Sequence, residues 1–306
     1  MMHLTKTSDL SLNGINDIID LAFQYKQKFE LGIRKENVLN GKMVAMIFEK
    51  PSLRTKVAFE IATEYLGGTA VYLSNAQILA SGQQEQGRES IPDIARNLER
   101  FSDLILARVY SHNTIETIAK YIDKPLLNAL CDLHHPTQSL ADLMAIKWHK
   151  PDQENLSLAY IGDGNNVATS LAQVCLMTGI DFTFCGPKDY QIDSSFLESI
   201  DAKANFYIEE DPKKAVEGKD CVYTDTFVSM GEESQKEEKL KIFEKYCVDL
   251  ELFGHAKSDA IFMHCLPAHR GEEVTDEVMD HKRSVVFDQA ECRMHIAKAL
   301  LHTMLS

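Results

Sequence analysis

The chain is 306 residues long, 44% hydrophobic and 25% charged, with a formal net charge of −14. That length suits two domains, each able to bury its own core, and the composition is that of a soluble globular protein. The acidic balance argues against a nucleic-acid surface and against anionic membranes, yet a local basic pocket would still take an anion.

In chain order, short apolar runs alternate with helical patterns. Met43–Phe48, Ala70–Leu73, Leu104–Ala107 and Pro125–Asn128 read as strands. A second series is Leu158–Ile161, Phe182–Cys185, Asn205–Ile208, Cys221–Thr224, Ala260–His264 and Ser284–Phe287. Helical patterns follow most of them. The first opens after Pro51 (Val57, Ala58, Ile61, Ala62, Tyr65, Leu66). The rest are Ile91–Phe101, Asn113–Tyr121, Pro136–His149, Val167–Thr178, Glu233–Lys245 and Asp288–Leu305. Strand–helix alternation predicts an α/β fold: two doubly wound parallel-sheet domains linked by long helices. A polar stretch over 147–155 marks the expected boundary. Domains are expected over 1–147 and 148–290, with a C-terminal helix, 291–306, packing back on the first.

No apolar run reaches the roughly 18 residues needed to cross a bilayer. The opening run Met1-Met2-His3-Leu4-Thr5-Lys6 lacks a signal-peptide core. Seven cysteines, at 131, 175, 185, 221, 247, 265 and 292, form no C-x-x-C pair. The expectation is a reducing cytoplasm, with no disulfide framework, no metal site and no cofactor.

In parallel sheets ligands bind beyond the carboxyl ends of the strands, so polar residues just after strands carry the functional reading. Ser52, Leu53, Arg54 and Thr55 sit between a strand and a helix N-terminus, where unpaired amides and the dipole favour an anion. Two hydroxyls and a guanidinium there suit a phosphate, although a capping serine with a solvated arginine would also explain the run. Arg108 closes the next strand, as an anion clamp or a surface cation. His134-His135-Pro136-Thr137-Gln138 opens a helix. Pro136 fits the first helical position, His135 can donate to a carbonyl oxygen, and Gln138 can accept from an amide. Asp163-Gly164-Asn165-Asn166 follows a strand but lacks the third glycine of a dinucleotide loop, which argues against NAD. Its asparagines offer amide donors to a small ligand. Asp225 offers a carboxylate to an ammonium group, with Ser229 and the Met230 amide beyond it. Cys265, after His264, suits a hydrogen-bonding thiol better than a nucleophile, because adjacent residues on extended chain point apart.

Taken together these motifs resemble the aspartate/ornithine carbamoyltransferase family, most closely its ornithine branch. The carrying residues are Ser52-Leu53-Arg54-Thr55, Arg108, His135-Pro136-Thr137-Gln138, Asp163 to Asn166, Asp225 with Ser229-Met230-Gly231, His264-Cys265-Leu266-Pro267, and Arg293. The resemblance implies carbamoyl phosphate and ornithine as substrates, with citrulline and phosphate as products. It implies that Ser52, the Leu53 backbone, Arg54, Thr55 and Arg108 hold the phosphate. His135 to Gln138, Cys265, the Leu266 backbone and Arg293 would surround the carbamoyl group. Asn166 and the Met230 backbone would hold the amino acid's carboxylate, and Asp225 and Ser229 its ammonium. A homotrimer, or a multiple of trimers, is implied, with Gln84 (or Gln83 or Gln86) reaching a neighbouring site. Leu53 departs from the branch's usual threonine and is similar to members that use acylated ornithine. Lys56 and Cys292 depart from a common arginine and asparagine. Putrescine, acylated ornithine and aspartate are the alternative acceptors, and a non-catalytic binder of an anionic metabolite is the reading outside enzymes.

Overall fold

The computed structural model describes residues 3–74, 89–151, 153–228 and 233–306. The chain divides into two compact units, one of residues 1–141 with 291–306, the other of residues 142–290. Among the described residues, no helix is long and apolar enough to cross a membrane.

The first unit is built on a five-stranded sheet. Its strands are β1 (His3–Leu4), β2 (Met43–Phe48), β3 (Thr69–Ser74), β4 (Leu104–Arg108) and β5 (Leu126–Leu130), in spatial order β1-β5-β4-β2-β3. Every pairing is parallel. Helices α1 (Leu12–Glu30), α2 (Leu53–Tyr65), α3 (Ile91–Phe101) and α4 (His112–Lys120) supply the crossovers, and α5 (Pro136–His149) follows β5. Strands covered on both faces read as unbroken apolar runs rather than alternating ones, which is why β2 and β4 stand out in the sequence. One face of this sheet packs Ile47, Ile105, Ala107 and Leu126 against Ala95, Ile115 and Ile118 of the helices.

The second unit repeats the scheme. Its strands are β6 (Ser157–Ile161), β7 (Asp181–Cys185), β8 (Phe206–Glu209), β9 (Cys221–Thr224) and β10 (Ile261–His264), in order β10-β9-β6-β7-β8 and again parallel. Helix α6 (Asn166–Met177) follows β6, α7 (Lys236–Phe243) follows β9, and α8 (Val286–Leu305) closes the chain.

Strand order decides where ligands can go. In the first unit the chain runs from β2 outward to β3, then crosses to β4 on the other side of β2. In the second it runs from β6 through β7 to β8, then crosses to β9 on the other side of β6. Each reversal opens a crevice at the carboxyl ends of two neighbouring strands. The residues at those two crevices are Ser52–Thr55 with Arg108, and Asp163–Asn166 with Asp225.

The predicted parallel α/β class is borne out. One strand assignment is overturned: Ser284–Phe287 is not a strand. Ser284 makes a single bridge to Phe262, and the helix begins at Val286. Three consecutive apolar residues carry no period, so the run could not separate a strand from a buried helix start. Two elements were not read, β1 and α1. The α1 core stripe of Ile15, Ile18, Ile19 and Ala22 follows the helical period, and Ser11 caps the helix by accepting the Gly14 N–H at 3.1 Å. The Glu233–Lys245 pattern is an α-helix only over Lys236–Phe243, flanked by 3-10 turns.

Candidate active site

In the first unit, Ser52 is the N-cap of α2, its hydroxyl accepting the Thr55 N–H at 3.2 Å. The cap reading of this serine therefore holds. Arg54, however, is not merely a solvated surface cation. With Arg293 it lowers the pKa of Arg108, to about 10, after burial itself as the largest cause. Arg108 is 7% exposed, and its Nε has no partner among the described residues. It sits where the β4–β5 register shifts, between Ala107 and Arg108. Such irregularities re-aim a side chain at a strand end. Arg293 donates to Gln138 Oε1, and at 3.1 Å to Thr55 Oγ1. Arg293, Thr55 and Gln138 are all buried. Arg293 thus takes one position on the Gln138 carbonyl oxygen, which was expected to accept from a ligand amide.

His135 is buried at the N-terminus of α5, where its carbonyl accepts the Gln138 and Ser139 N–H groups. Its pKa lies well below the ordinary histidine range, through burial first and then Arg293, Arg108 and Arg54. Burial, reinforced by three guanidinium groups, thus keeps the ring neutral, and a neutral ring can donate one hydrogen. Pro136 is the first residue of α5, and Thr137 Oγ1 lies 3.4 Å from His135 Nδ1. Leu53 is 74% exposed and brings only backbone to the turn. Lys50 was missed. It is 9% exposed, its Nζ lies 4.6 Å from the Tyr110 ring centroid, and burial followed by Arg108 lowers its pKa. Its place in the Phe48–Thr55 run was the available signal.

A gathering of cations that depress one another is unfavourable unless an anion completes it. The same logic makes a pH prediction. His134 is pushed down to about 4, by burial and then by His112 and Lys6, and His135 is also depressed. An unfolded histidine titrates near 6.5, so between these values the unfolded chain binds protons that the folded one does not, and stability falls as pH drops below about 6.5. Urea midpoints are expected to fall between pH 7.5 and 5, and less steeply in a His134→Gln, His135→Gln variant. Equal slopes would contradict this.

In the second unit, Asn165 is the N-cap of α6, its Oδ1 accepting the Val167 and Ala168 N–H groups at 2.9 and 3.0 Å. Its Nδ2 donates to Asp225 Oδ2 at 3.0 Å. Asn165 is therefore spent on the protein, and Asn166 is the first residue of α6. Gly164 is required by packing, since a Cβ there would meet the Gln191 carbonyl carbon at 2.4 Å. A close backbone neighbour, not a pyrophosphate, accounts for the glycine. Asp163 pairs with the buried Lys239 at 2.7 Å.

Asp225 is 5% exposed. Its Oδ1 accepts the Thr226 N–H at 2.8 Å and the Cys265 thiol at 2.9 Å. Burial, then the Asp225 charge, pushes the Cys265 pKa well above the usual thiol value, so the sulfur is a protonated donor rather than a nucleophilic thiolate. His264 does not face a ligand. Its Nδ1 accepts the Leu266 N–H at 2.8 Å, which places the ring hydrogen on Nε2, 3.1 Å from Glu273 Oε1. That bond holds Leu266 in the left-handed region, at φ 58°. A leucine so placed stays only where its surroundings hold it there, and such residues cluster at binding sites. Ser229, Met230, Gln83, Gln84 and Gln86 lie outside the described residues.

A cluster of buried cations in one unit and a buried carboxylate at the switch point of the other mark a protein of the parallel α/β class. Comparison with known proteins narrows this. The family description "Aspartate/ornithine carbamoyltransferase, carbamoyl-P binding domain" matches residues 2–148, and "Aspartate/ornithine carbamoyltransferase, Asp/Orn binding domain" matches residues 154–304. An ornithine carbamoyltransferase of Pyrococcus horikoshii is 45% identical over 302 residues, covering 97% of this chain and 93% of that protein. An anabolic ornithine carbamoyltransferase of Pyrococcus furiosus is 45% identical over 298 residues, covering 96% and 93%. The solved ornithine carbamoyltransferase of Pyrococcus furiosus superposes with a TM-score of 0.91 at 41% identity, covering 99% of this chain and 97% of that one. The chain belongs to the aspartate/ornithine carbamoyltransferase family, as its motifs implied.

Proposed function

We propose that the chain transfers the carbamoyl group of carbamoyl phosphate to the δ-amine of L-ornithine, giving L-citrulline and phosphate. Residues 1–147, with the C-terminal helix 291–306, form the donor domain, and residues 148–290 the acceptor domain. The observation that carries the donor side is Arg108, buried beside two other guanidinium groups with its Nε unpartnered. Ser52, the Leu53 backbone, Arg54, Thr55 and Arg108 bind the phosphate. The neutral His135 donates to the carbonyl oxygen, and Gln138 and Arg293 orient the carbamoyl group. On the acceptor side Asp225 and Ser229 take the α-ammonium, and Asn166 and the Met230 amide the α-carboxylate.

No covalent enzyme intermediate is required. The δ-amine attacks the carbamoyl carbon and phosphate leaves. Fixed cations stabilise the charge growing on the departing phosphate, and orientation of two small molecules supplies much of the rest. The assembly proposed is a homotrimer in which Gln84 reaches the neighbouring site. Exposed Leu53, Val57 and Val71 on the α2–β3 side of the first unit support contact there.

Only the neutral amine attacks. At pH 7 an alkyl amine of pKa about 10.4 is neutral in roughly one molecule in 2,500. Under subsaturating ornithine, phosphate release is therefore expected to rise steadily from pH 6 to 9, and a flat profile would count against direct attack. The same assay over ornithine, N-acetylornithine, putrescine and aspartate tests the acceptor. Ornithine should be fastest, and aspartate should fail because Asp225 repels its second carboxylate. The second reading, an acylated acceptor, rests on Leu53, and a preference for N-acetylornithine would establish it.

A further inference from the structure

After β10 the chain reverses at Gly271, which stands in the left-handed region at φ 90°. Only glycine takes that conformation without a side-chain cost. Two backbone bonds close the turn: Gly271 N–H to the Val274 carbonyl at 2.8 Å, and Glu272 N–H to the His269 carbonyl at 2.9 Å. The reversal gathers His269, Glu272 and Glu273. One nitrogen or oxygen from each lies within 4.8 Å of the other two. The expectation of no metal site rested on cysteine and histidine spacing, whereas these donors are mostly carboxylates brought together by a turn.

Acidic groups beside an imidazole are common at protein surfaces and carry no argument alone. Glu273 sets this group apart, because it is fully buried. Its Oε1 accepts the His264 Nε2 hydrogen at 3.1 Å and the His269 backbone N–H. Its Oε2 is shut off from solvent and has no hydrogen-bond partner among the described residues. A buried carboxylate oxygen left this way is costly unless a cation completes it. His269 Nδ1 is 3.8 Å away, beyond hydrogen-bond reach. The same nitrogen lies 3.0 Å from Thr226 Oγ1, whose own hydrogen goes to the Val228 carbonyl at 3.2 Å. One hydrogen on Nδ1 cannot serve both Thr226 and Glu273. A metal ion bonded to Nδ1 can sit between them.

The donor set fixes the class of ion. Two carboxylates neutralise a divalent cation, and an imidazole nitrogen favours a transition metal over calcium or magnesium, which take oxygen. Bonds of about 2.0–2.2 Å at tetrahedral angles set donors about 3.3–3.6 Å apart. The 3.8 Å between Nδ1 and Oε2 has only to close slightly. Both carboxylates are held from behind, Glu273 by His264 and Glu272 by Lys236 at 2.7 Å, as ligating carboxylates usually are. A second group, Asp225 with His264 and Cys265, also has its donor atoms close together. It is the poorer site. Both His264 nitrogens are committed, and the Cys265 thiol gives its hydrogen to Asp225.

We propose that His269, Glu272 and Glu273 bind one divalent transition-metal ion of the zinc class, with the Thr226 hydroxyl beside it. Thr226 follows Asp225, and Glu273 holds His264, the residue before Cys265. The ion therefore braces the two segments that carry the acceptor carboxylate and the thiol.

Cobalt(II) and zinc are the probes, added to the full chain after chelator treatment in phosphate-free buffer. One equivalent of cobalt should give visible d–d bands without a near-ultraviolet sulfur-to-cobalt charge-transfer band. Zinc should displace it and raise Tm, as a ligand of the native state does. By calorimetry, His269→Gln and Glu272→Gln should each weaken zinc binding by more than about tenfold, and Cys265→Ala should leave it unchanged. Both substituted side chains lie outside the core, and either variant serves if the other does not fold. Three results would overturn the proposal. One is a charge-transfer band together with loss of binding in Cys265→Ala, which would place the ion on the Asp225 group. Another is zinc affinity unchanged in both glutamine variants. The third is no uptake at millimolar zinc, which would leave a protonated His269 as the partner of Glu273.

Discussion

Arg108→Met should lower kcat/KM for carbamoyl phosphate by about a thousandfold and leave the empty protein no less stable than its parent. The two halves of this result have one cause. Arg108 is buried, one of its nitrogens has no protein partner, and Arg54 and Arg293 oppose its charge. In the unliganded protein burial and the neighbouring guanidinium groups both oppose its charge. With a phosphate present it becomes one side of a desolvated, charge-assisted contact, and truncating such a partner typically costs about 2–5 kcal/mol. Methionine fills the stem's volume without the charge. The decisive comparison is calorimetric. The parent should gain thermal stability with saturating phosphate, as any ligand that binds only the native state confers, and the variant should not. Activity within tenfold of the parent would refute the clamp. A Tm several degrees below the parent without phosphate would refute the view that Arg108 sits there for function at the expense of stability.

Which parts of this site were legible beforehand follows from what a sequence can encode locally. The strands β2, β4, β6 and β9 could be read because both faces are covered and the apolar runs are unbroken. Once they were placed, the rule that ligands sit at carboxyl ends singled out Ser52–Thr55, Arg108, His135 and Asp225 without any knowledge of the tertiary structure. What could not be read was how these groups share partners. Asn165 and Asn166 are the same residue type in sequence, and only the cap geometry of α6 shows that Asn165 is spent on Val167, Ala168 and Asp225. Gln138 also accepts from Arg293, a partner far along the chain that no local pattern announces. The commitment of His264 to Leu266 and Glu273 likewise depends on a turn that no periodicity announces. Lys50 was overlooked for a different reason. Lysines default to solvent, so its place in the Phe48–Thr55 run was passed over.

Asp225→Asn is the corresponding prediction for the acceptor side, and its outcome follows from the hydrogen-bond directions around that carboxylate. Among the described residues, the three groups that hydrogen-bond Asp225 are all donors: Thr226 N–H and Cys265 S–H on Oδ1, and Asn165 Nδ2 on Oδ2. An asparagine amide must point its NH2 at one side or the other, so it meets a donor in either orientation. Asn165 cannot rotate to relieve the clash, because its Oδ1 caps α6 through Val167 and Ala168. The substitution therefore removes the charge that would attract an ammonium and sets a buried donor against a donor. Losing a charged hydrogen-bond partner and leaving its counterpart unsatisfied each cost about 1–3 kcal/mol, so kcat/KM for ornithine should fall by about a thousandfold, mostly through KM. Carbamoyl phosphate binding, measured by calorimetry without the amino acid, should stay within about twofold of the parent, since the residues assigned to the phosphate lie in the other unit. A variant that keeps ornithine kcat/KM within tenfold, or that loses both substrates together, would show that Asp225 is a structural carboxylate and that the ammonium is held elsewhere.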